Sequence, residues 1–498
     1  SDLSTAEVAA FLLSYSRAIE DDATDEIWTE CTIFLRDVLS NPLPHRQILP
    51  SLLEFTVLLA EKIDNTNFGE LRKMRRELGD IFLRLLTATF TARPLTNILE
   101  TPTAGSQLPS GASDLIHSLL YATPKLTTIL QSNDRVQTAV NTISNNVMTP
   151  AFHAKAFPEN VNKDLLKLFE YVAQQGPSSK HWKKDISDAF NNPRLLTCSA
   201  DLMQERWYPV LRKWALSDKD RLPELLSKIT APSTAGIMFG VGANAARLEA
   251  DRRTQLTLRK AMLLMLSCEQ DTFVGNLTQI LDKVVDLCAA DPSSSPSSTT
   301  RADVFMLLRA MILSFSPIHL SAIWPVLNAN LQKAITTCLP GGQDQETYSN
   351  LSLLQACKLL DLLTTLTPDE FQLHEWLYIT DTIDAVYRPV DLNPVALADE
   401  AAEALGMDSS DHTTFTPSTA PTTANETGVR RPFLGGSVMD GADMKAMAKD
   451  DFLRGVLQPF FSQLSMFAYE ATYSMGVPDV EVCRRGLLED VLDESTMA

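Results

Sequence analysis

The sequence has no excess of positive charge. It contains 43 Lys and Arg against 62 Asp and Glu, which gives a formal net charge of −19. Sequence-independent binding to nucleic acid needs a basic footprint that neutralises phosphates. The composition therefore disfavours a nucleic-acid-binding protein, and acidity of this kind keeps a long chain in solution.

The sequence also lacks the usual spacing of metal-binding residues. Its seven cysteines include no C-x-x-C pair, and its seven histidines lie far apart. His374-Glu375 begins like the zinc motif H-E-x-x-H, but Tyr378 stands where the second histidine would be. An odd number of widely spaced cysteines indicates reduced thiols in a cytosolic protein. No metal site is predicted.

No apolar run has the character of a membrane span. The uncharged window 310–332 is interrupted by Ser316-Pro317 and contains His319, Asn328 and Asn330. Two buried helices therefore suit it better than one transmembrane helix. The chain opens without a signal peptide and looks like a fragment. We expect a cytoplasmic protein whose membrane association, if any, is peripheral.

Alternating apolar and polar runs, which are typical of strands, are nearly absent. Apolar residues recur at helical spacing, and helices of 15–25 residues are joined by short turns that contain proline. This pattern predicts an all-α fold, an α-solenoid of armadillo or HEAT-like hairpins. The predicted organisation is a solenoid over 1–390 with a Ser/Pro linker at 290–300, a mostly disordered linker over 391–445, and a C-terminal helical segment over 446–498.

Motifs for catalysis are absent as well: there is no G-x-S-x-G and no Walker loop. Gly240 to Ala245 fits a loose G-x-G-x-x-A pattern, but no strand precedes it, so a loop that enters a helix is the better interpretation. We predict no catalytic residue and no cofactor. An enzyme whose site is assembled from distant residues stays open as an alternative.

Two basic clusters stand out against the acidic background. Either could contact anionic lipid headgroups or a partner. Acidic residues at i+3 and i+4 spacing allow a second interpretation, a solvated helix face with internal salt bridges. The first cluster comprises Arg72, Lys73, Arg75 and Arg76, and the second Arg247, Arg252, Arg253, Arg259 and Lys260.

The C-terminal segment contains a strongly apolar helix, predicted over 451–474, in which Pro459 is expected to introduce a kink. Its apolar stripe must be covered by the chain's own body, by a second copy in a homodimer, or by a partner helix. We favour intramolecular docking, because the linker keeps the helix near its own body. The predicted interface residues are Phe452, Leu457, Phe460, Phe461, Leu464 and Phe467.

Three blocks resemble the C-terminal region of the Dopey family: Phe315 to Pro325, Ala356 to Leu363, and Phe371 to Trp376. The resemblance implies a fungal-type, non-enzymatic scaffold in endosome-to-Golgi transport, peripheral on Golgi and endosome membranes. It implies as partners a large guanine-exchange-factor-like scaffold, a phospholipid flippase, kinesin and phosphoinositides. A helical-repeat module that binds cargo or a receptor outside this traffic is the alternative.

Trp324 and Trp376 lie within these blocks, close to turns that contain proline. We predict that both side chains anchor the packing between adjacent helical pairs. Large aromatic side chains bury enough surface to have this role.

Overall fold

A computed structural model describes residues 4–66, 72–99, 110–229, 243–339, 347–380, 396–406, 428–435, 440–473 and 476–498. Within these residues the chain is helical almost throughout, apart from two short parallel strands, β1 (Val429–Arg430) and β2 (Val477–Pro478). The all-α prediction is confirmed. The contacts divide the chain into two compact units, unit 1 (Ser1–Asp218) and unit 2 (Lys219–Ala498).

Unit 1 consists of amphipathic helices of very different length. They are α1 Thr5–Ala18, α2 Thr24–Ser40, α3 Leu49–Asp64, α4 Arg72–Ala92, α5 Thr96–Leu99, α6 Ser110–Ala122, α7 Leu126–Leu130, α8 Asn133–Ile143, α9 Thr149–His153, α10 Lys163–Gln175, α11 Lys180–Asn191, α12 Ala200–Leu202 and α13 Tyr208–Leu216. Helices α3 and α10 are central, since α1, α4 and α6 pack on α3, while α6 and α13 pack on α10.

An aromatic cluster lies in the interior of unit 1. The ring of Phe152 lies 5.0–5.8 Å from the rings of Phe157, Phe169 and Trp207. All four side chains are almost completely buried. Edge-to-face and offset contacts of this kind add about 0.5–1.5 kcal/mol per pair beyond the burial of area. The cluster thus joins α9, α10 and the helical turn before α13.

Helical periodicity located the buried face of α4 correctly. The sequence predicts a long amphipathic helix over 67–91, with six leucine, isoleucine and phenylalanine side chains facing inward: Leu71, Leu78, Ile81, Phe82, Leu85 and Leu86. Leu71 lies outside the described residues, and the other five are buried. Their i, i+3, i+4, i+7 spacing places them on one stripe. The first turn of α4, which precedes this stripe, carries the first basic cluster.

Unit 2 contains the remaining helices. They are α14 Arg221–Ser227, α15 Ala243–Ser267, α16 Leu277–Cys288, α17 Arg301–Ser314, α18 Trp324–Thr336, α19 Asn350–Leu366, α20 Asp369–Gln372, α21 Leu397–Gly406, α22 Gly441–Ala446, α23 Lys449–Phe452, α24 Gln458–Tyr473 and α25 Val480–Leu492.

Consecutive helices of unit 2 form stacked hairpins. Helices α14 and α15, α16 and α17, and α18 and α19 pack as pairs, and the second members of the pairs stack on each other in the order α15, α17, α19. Helices α15 and α17 end side by side, because Arg484 donates to the last-turn carbonyls of both, at Leu266 and Leu313. Helices α17 and α19 begin side by side, because Arg301 lies 4.6 Å from the ring centroid of Tyr348, just before α19. The three helices therefore run parallel. Helices α15 and α17 end at residues 267 and 314, which are 47 positions apart. This spacing matches the roughly 40–47 residues of HEAT and armadillo repeats, and the predicted helical-repeat solenoid is confirmed.

The C-terminal helices complete unit 2. Helices α21 and α24 form a further pair that packs on α18 and α19, and α25 packs on α15 and α17. As a result every residue of α17 is buried. A helix that is enclosed on all sides must satisfy its polar groups inside the protein. The candidate site begins with those groups.

Among the described residues, three helical segments contain a π-helical turn: Ser144–Met148, Met203–Trp207 and Leu453–Leu457. In each case a proline follows two positions later, at Pro150, Pro209 and Pro459. Proline has no N–H and its ring crowds the carbonyl four residues earlier, so a wider turn accommodates it. At Pro459 this widened turn lies where the sequence predicted a kink.

The predicted Ser/Pro linker at 290–300 is an ordered loop. The carboxylate of Asp251 on α15 accepts hydrogen bonds from the Ser297 N–H and hydroxyl, both at 2.6 Å, and from the Thr299 hydroxyl at 2.8 Å. Within the predicted linker 391–445 the structure describes helices α21 and α22. The boundaries at 390 and 445 stay predictions.

Candidate functional site

The first basic cluster lies at the start of α4 and is interleaved with carboxylates. Arg75 pairs with Asp64 at 2.6 Å, and the neighbouring Glu77 pairs with Arg36. The side chain of Arg72 lies outside the described residues, while Lys73 and Arg76 are exposed.

Helix α8 adds a further cation to this cluster. Arg135 donates to the carbonyl of Arg76 at 3.3 Å and pairs with Asp80. Burial, and then the nearby positive charge of Arg76, lower the pKa of Arg135. The surface is therefore a mixed face that retains exposed cations at Lys73 and Arg76. Contact with anionic lipid stays a prediction.

The second basic cluster does not form one surface. Arg252 and Arg253 are exposed, and Arg253 pairs with Glu249 one turn earlier at 3.3 Å. Arg259 and Lys260, in contrast, are 0% and 8% exposed. Their placement on a surface patch was wrong, because the second half of α15 is covered by α17 and α25.

Arg259 joins α15 to the end of the chain. Its Nε donates to Asp303 at 2.8 Å, and its Nη1 donates to the carbonyls of Val491 and Asp493 at 3.2 and 2.6 Å. Its Nη2 reaches the Thr496 hydroxyl at 2.5 Å. The guanidinium thus satisfies the carbonyls at the C-terminal end of α25, a placement that also suits the helix dipole.

A second buried charge cluster lies where α25 meets α17 and α19. Asp490 accepts from Arg309 at 2.5 Å and from Lys358 at 2.6 Å, and Arg309 also donates to Gln355 at 2.7 Å. Burial alone would raise the pKa of Asp490, but Lys358 and Arg309 hold it below its ordinary value. The same burial lowers the pKa of Lys358. These three charges therefore fix α25 in register against α17 and α19.

Asp361 extends this cluster to the segment around β1. Its two carboxylate oxygens accept the N–H groups of Phe433 and Leu434 at 2.9 and 2.6 Å. Burial raises the pKa of Asp361 to about 6, although these two hydrogen bonds oppose the change. At neutral pH the group is ionised and holds residues 433 and 434 against α19.

The predicted interface residues of the C-terminal helix pack within unit 2. Phe452, Leu457, Phe460, Phe461 and Leu464 are nearly inaccessible, and Phe467 is half-buried. They belong to α23, to the π-helical turn after it and to α24, and α24 packs against α21 and α19. Ser465 donates to Asp399 of α21 at 2.9 Å. This stripe docks in cis, and an interface with a partner or second copy stays a prediction.

The two tryptophans differ. Trp324, the first residue of α18, is 4% exposed, as predicted, whereas Trp376 is 63% exposed. The prediction for Trp376 was wrong because the residue lies in a single 3-10 turn, Glu375–Leu377. A turn this short leaves its outer side chain in solvent. His374 nearby is half-buried, and its Nδ1 lies 3.0 Å from the Glu370 carbonyl oxygen.

No candidate metal site is found in the part of the chain that the structure describes. There, no group of three or more His, Cys, Asp or Glu side chains could hold a metal ion. The residues Gly240 to Gly242 of the glycine-rich pattern lie outside the described residues. Nor is any helix among the described residues long and apolar enough to cross a membrane. All seven cysteines are free thiols.

Comparison with known proteins assigns the family. A model of the DOP1 C-terminal family matches residues 11–474. The chain belongs to this family. The resemblance to the Dopey family is confirmed. No solved structure matches the chain.

Relatives in this family include fungal and animal proteins. The chain is 48% identical to Protein dop1 of Emericella nidulans over 506 residues, which is 100% of this chain and 27% of that protein. It is 26% identical to Protein DOP1 of Saccharomyces cerevisiae over 509 residues, 98% of this chain and 27% of the relative. Protein pad-1 of Caenorhabditis elegans is 23% identical over 213 residues, 40% of this chain and 8% of the relative. The chain thus spans about a quarter of the length of its fungal relatives.

The sequence held one signal for the interior charges that our interpretation missed. Arg309 stands within Leu-Leu-Arg-Ala-Met-Ile-Leu, and Lys358 and Asp361 stand within Cys-Lys-Leu-Leu-Asp-Leu-Leu. Charges inside otherwise apolar helices are seldom buried unless they are paired. These two apolar runs could have predicted a buried ionic cluster. They could not have predicted that Asp490, more than a hundred residues away, belongs to it.

Proposed function

We propose that the chain is a non-enzymatic scaffold segment in endosome-to-Golgi vesicular transport, peripheral on Golgi and endosome membranes. The observation that carries this proposal is membership of the DOP1 C-terminal family over nearly the whole chain. The partners proposed with it are a large guanine-exchange-factor-like scaffold, a phospholipid flippase and kinesin.

The use of charge in unit 2 supports a scaffold. Arg259, Arg309, Lys358 and Asp490 pair with one another or with helix ends. A catalytic group needs an open position for substrate, whereas these groups hold helices in register. These charge pairs hold the helices of unit 2 rigidly, as a binding platform requires.

Localisation tests the proposal directly. The chain, fused to a fluorescent protein, is expressed in Emericella nidulans beside markers of the Golgi and of endosomes. We expect puncta that coincide with those markers. An Asp490→Ala fusion, which removes the shared carboxylate of Arg309 and Lys358, tests whether the puncta require an intact unit 2. A fusion that folds, as judged by its abundance, and stays diffuse would contradict the proposal.

We propose further that the exposed cations of α4 contribute to membrane attraction. Each basic group near an anionic surface contributes about 1 kcal/mol, and salt weakens the effect. Reversal of Lys73 and Arg76 to Glu should therefore reduce flotation with phosphatidylserine vesicles by about tenfold or more at low salt. Reversal of Arg252 and Arg253, which lie on unit 2, is the matched control. Equal flotation of the α4 variant and the unaltered chain would leave the α4 cluster as a solvated helix face.

A further inference from the structure

One edge of unit 2 exposes apolar side chains on three turns whose own formal charges are all negative. The parallel helices α15, α17 and α19 end there, and each is followed by a turn: 268–276, 315–323 and 367–379. These three segments are here called the turn edge. Ile318, Leu373 and Trp376 on it are 79%, 72% and 63% exposed.

Hydrogen bonds join the first two turns into one surface. The Asp271 N–H donates to the Ser314 carbonyl at 2.9 Å, and the Asp271 carboxylate accepts the Ser316 N–H at 2.7 Å and the Ser316 hydroxyl. The turn at 315–323 then leads directly into α18.

The third turn is fixed to the same edge. Tyr378 donates to the carbonyl of Asn328 on α18 at 3.1 Å, and its ring stacks on Phe371 with centroids 6.2 Å apart. Both Phe371 and Tyr378 are buried. The inner side of this turn is therefore fixed, while Leu373 and Trp376 stand on its outer side. The exposed side chains belong to ordered backbone.

The charge of the turn edge indicates which kind of molecule can bind there. The three turns contain no Lys or Arg, and they carry five acidic residues, Glu269, Asp271, Asp369, Glu370 and Glu375. An anionic bilayer would be repelled by these carboxylates, and so would a second copy of a chain with net charge −19. A segment with cations on both sides of an apolar stripe matches the surface.

The dimensions suit a helix. Arg430 donates to Thr367 at 3.5 Å and to the carbonyl of Ala471 at 3.0 Å, so the last turn of α24 reaches the same edge. Packed helices lie about 8–10 Å apart. Three such steps from α15 to α24 cover about 25–30 Å, the length of a helix of about 20 residues. Helices in grooves are recognised through anchors at i, i+3, i+4 and i+7.

We propose that the turn edge binds a basic amphipathic helix of a partner protein, with Ile318, Leu373 and Trp376 against its apolar stripe and the acidic turns against its Lys and Arg residues. Exposed tryptophan is a frequent anchor of such interfaces. This surface stands on its own geometry and goes beyond the proposed function, which names no site for a protein partner.

The test uses the full chain and a synthetic probe. The probe is a labelled 18-residue Leu/Lys helix with leucines at i, i+3, i+4 and i+7, and binding is followed by fluorescence anisotropy. The double variant Leu373→Ser/Trp376→Ser should raise the dissociation constant by at least tenfold, and Asp369→Lys should raise it by about threefold. The matched control is Phe11→Ser/Tyr15→Ser, which removes the exposed aromatic pair of α1 and should bind as the unaltered chain does.

Loss of binding can be distinguished from loss of folding in these variants. The altered side chains are exposed, so the melting temperature should stay unchanged in each variant. Equal weakening in both double variants would reduce the binding to non-specific apolar contact, and no weakening in either would reduce it to non-specific attraction between opposite charges. Either result would overturn the proposal. A loss of vesicle flotation in Leu373→Ser/Trp376→Ser would assign the edge to a membrane instead. Loss of a concentration-dependent dimer in the same variant, followed by sedimentation, would assign it to a second copy.

Discussion

The two basic clusters resemble each other in sequence and differ in the fold. On α4 Lys73 and Arg76 stay at the surface, and Arg75 pairs with Asp64 of the adjacent helix α3. On α15 the cluster divides: Arg252 and Arg253 are exposed, and Arg259 lies in the interior against the end of the chain. A run of positively charged residues therefore does not show whether a helix face is exposed to solvent or buried.

The difference changes what each charge contributes to stability. Exposed ion pairs typically contribute about 0–1 kcal/mol, because water and salt screen them and long side chains lose entropy. In a buried pair, loss of one partner leaves an uncompensated charge in a medium of low polarity, which costs about 3–5 kcal/mol. A single substitution should therefore lower the free energy of unfolding much more at a buried charge pair than at an exposed one.

The largest expected effect is at the buried cluster around Asp490. Asp490→Ala should lower the free energy of unfolding by about 3–5 kcal/mol, because Arg309 and Lys358 lose their shared carboxylate. Urea denaturation measures the change. The matched control is Asp80→Ala, which removes the exposed partner of Arg135 on the α4 side and should cost at most about 1 kcal/mol. Equal losses in the two variants would refute the contrast between interior and surface.

The same contrast separates the two tryptophans. Trp324→Ala should cost about 3–5 kcal/mol, because the side chain is 4% exposed at the start of α18 and its loss leaves a cavity. Trp376→Ala should leave the melting temperature nearly unchanged, because its side chain is 63% exposed. Thermal melting of both variants measures these two expected changes in stability. A large loss for Trp376→Ala would show that its ring packs on a neighbour in solution.

Local features of the fold were predictable from the sequence. Periodicity on α4 identified Leu78, Ile81 and Phe82 as buried, because a helix with one apolar stripe has one way to face a core. The apolar residues of α24 likewise predicted a helix that must be covered. Proline at 459 marked a local irregularity, although the sequence did not show that it would take the form of a π-helical turn.

Contacts between distant segments were not predictable. Arg259 is buried because Val491 and Asp493, more than two hundred positions later, supply carbonyls to it. Asp361 holds the segment at Phe433 and Leu434 in the same way. Such contacts carry no periodic signal, since the partners are backbone carbonyl and N–H groups, which nearly every residue has. The turn edge was missed for a related reason, because the aromatic residue in its third turn suggested a core.

The smallest and most specific effect should come from Lys260, which is 8% exposed on α15. Burial, and then the charge of Lys228, lower its pKa from 10.5 to about 8. Below pH 8 the lysine is protonated in both the folded and the unfolded chain, so the folded state bears the whole free-energy cost that the lowered pKa reflects. Between pH 8 and 10.5 the folded lysine loses its proton first, and that cost disappears.

Lys260→Met should therefore stabilise the chain at pH 7, by about 1–3 kcal/mol, since one pKa unit corresponds to about 1.4 kcal/mol. The advantage over the unaltered chain should shrink as the pH rises from about 8 toward 10. Lys73→Met on α4 is the matched control, because Lys73 is exposed and its loss should change stability by less than about 0.5 kcal/mol at any pH. Urea denaturation at pH 7, 8.5 and 9.5 provides the comparison. A Lys260→Met advantage that does not vary with pH would mean that better packing of the methionine, not relief of a buried charge, accounts for it, and the contrast between the two basic clusters would then rest on Arg259 alone.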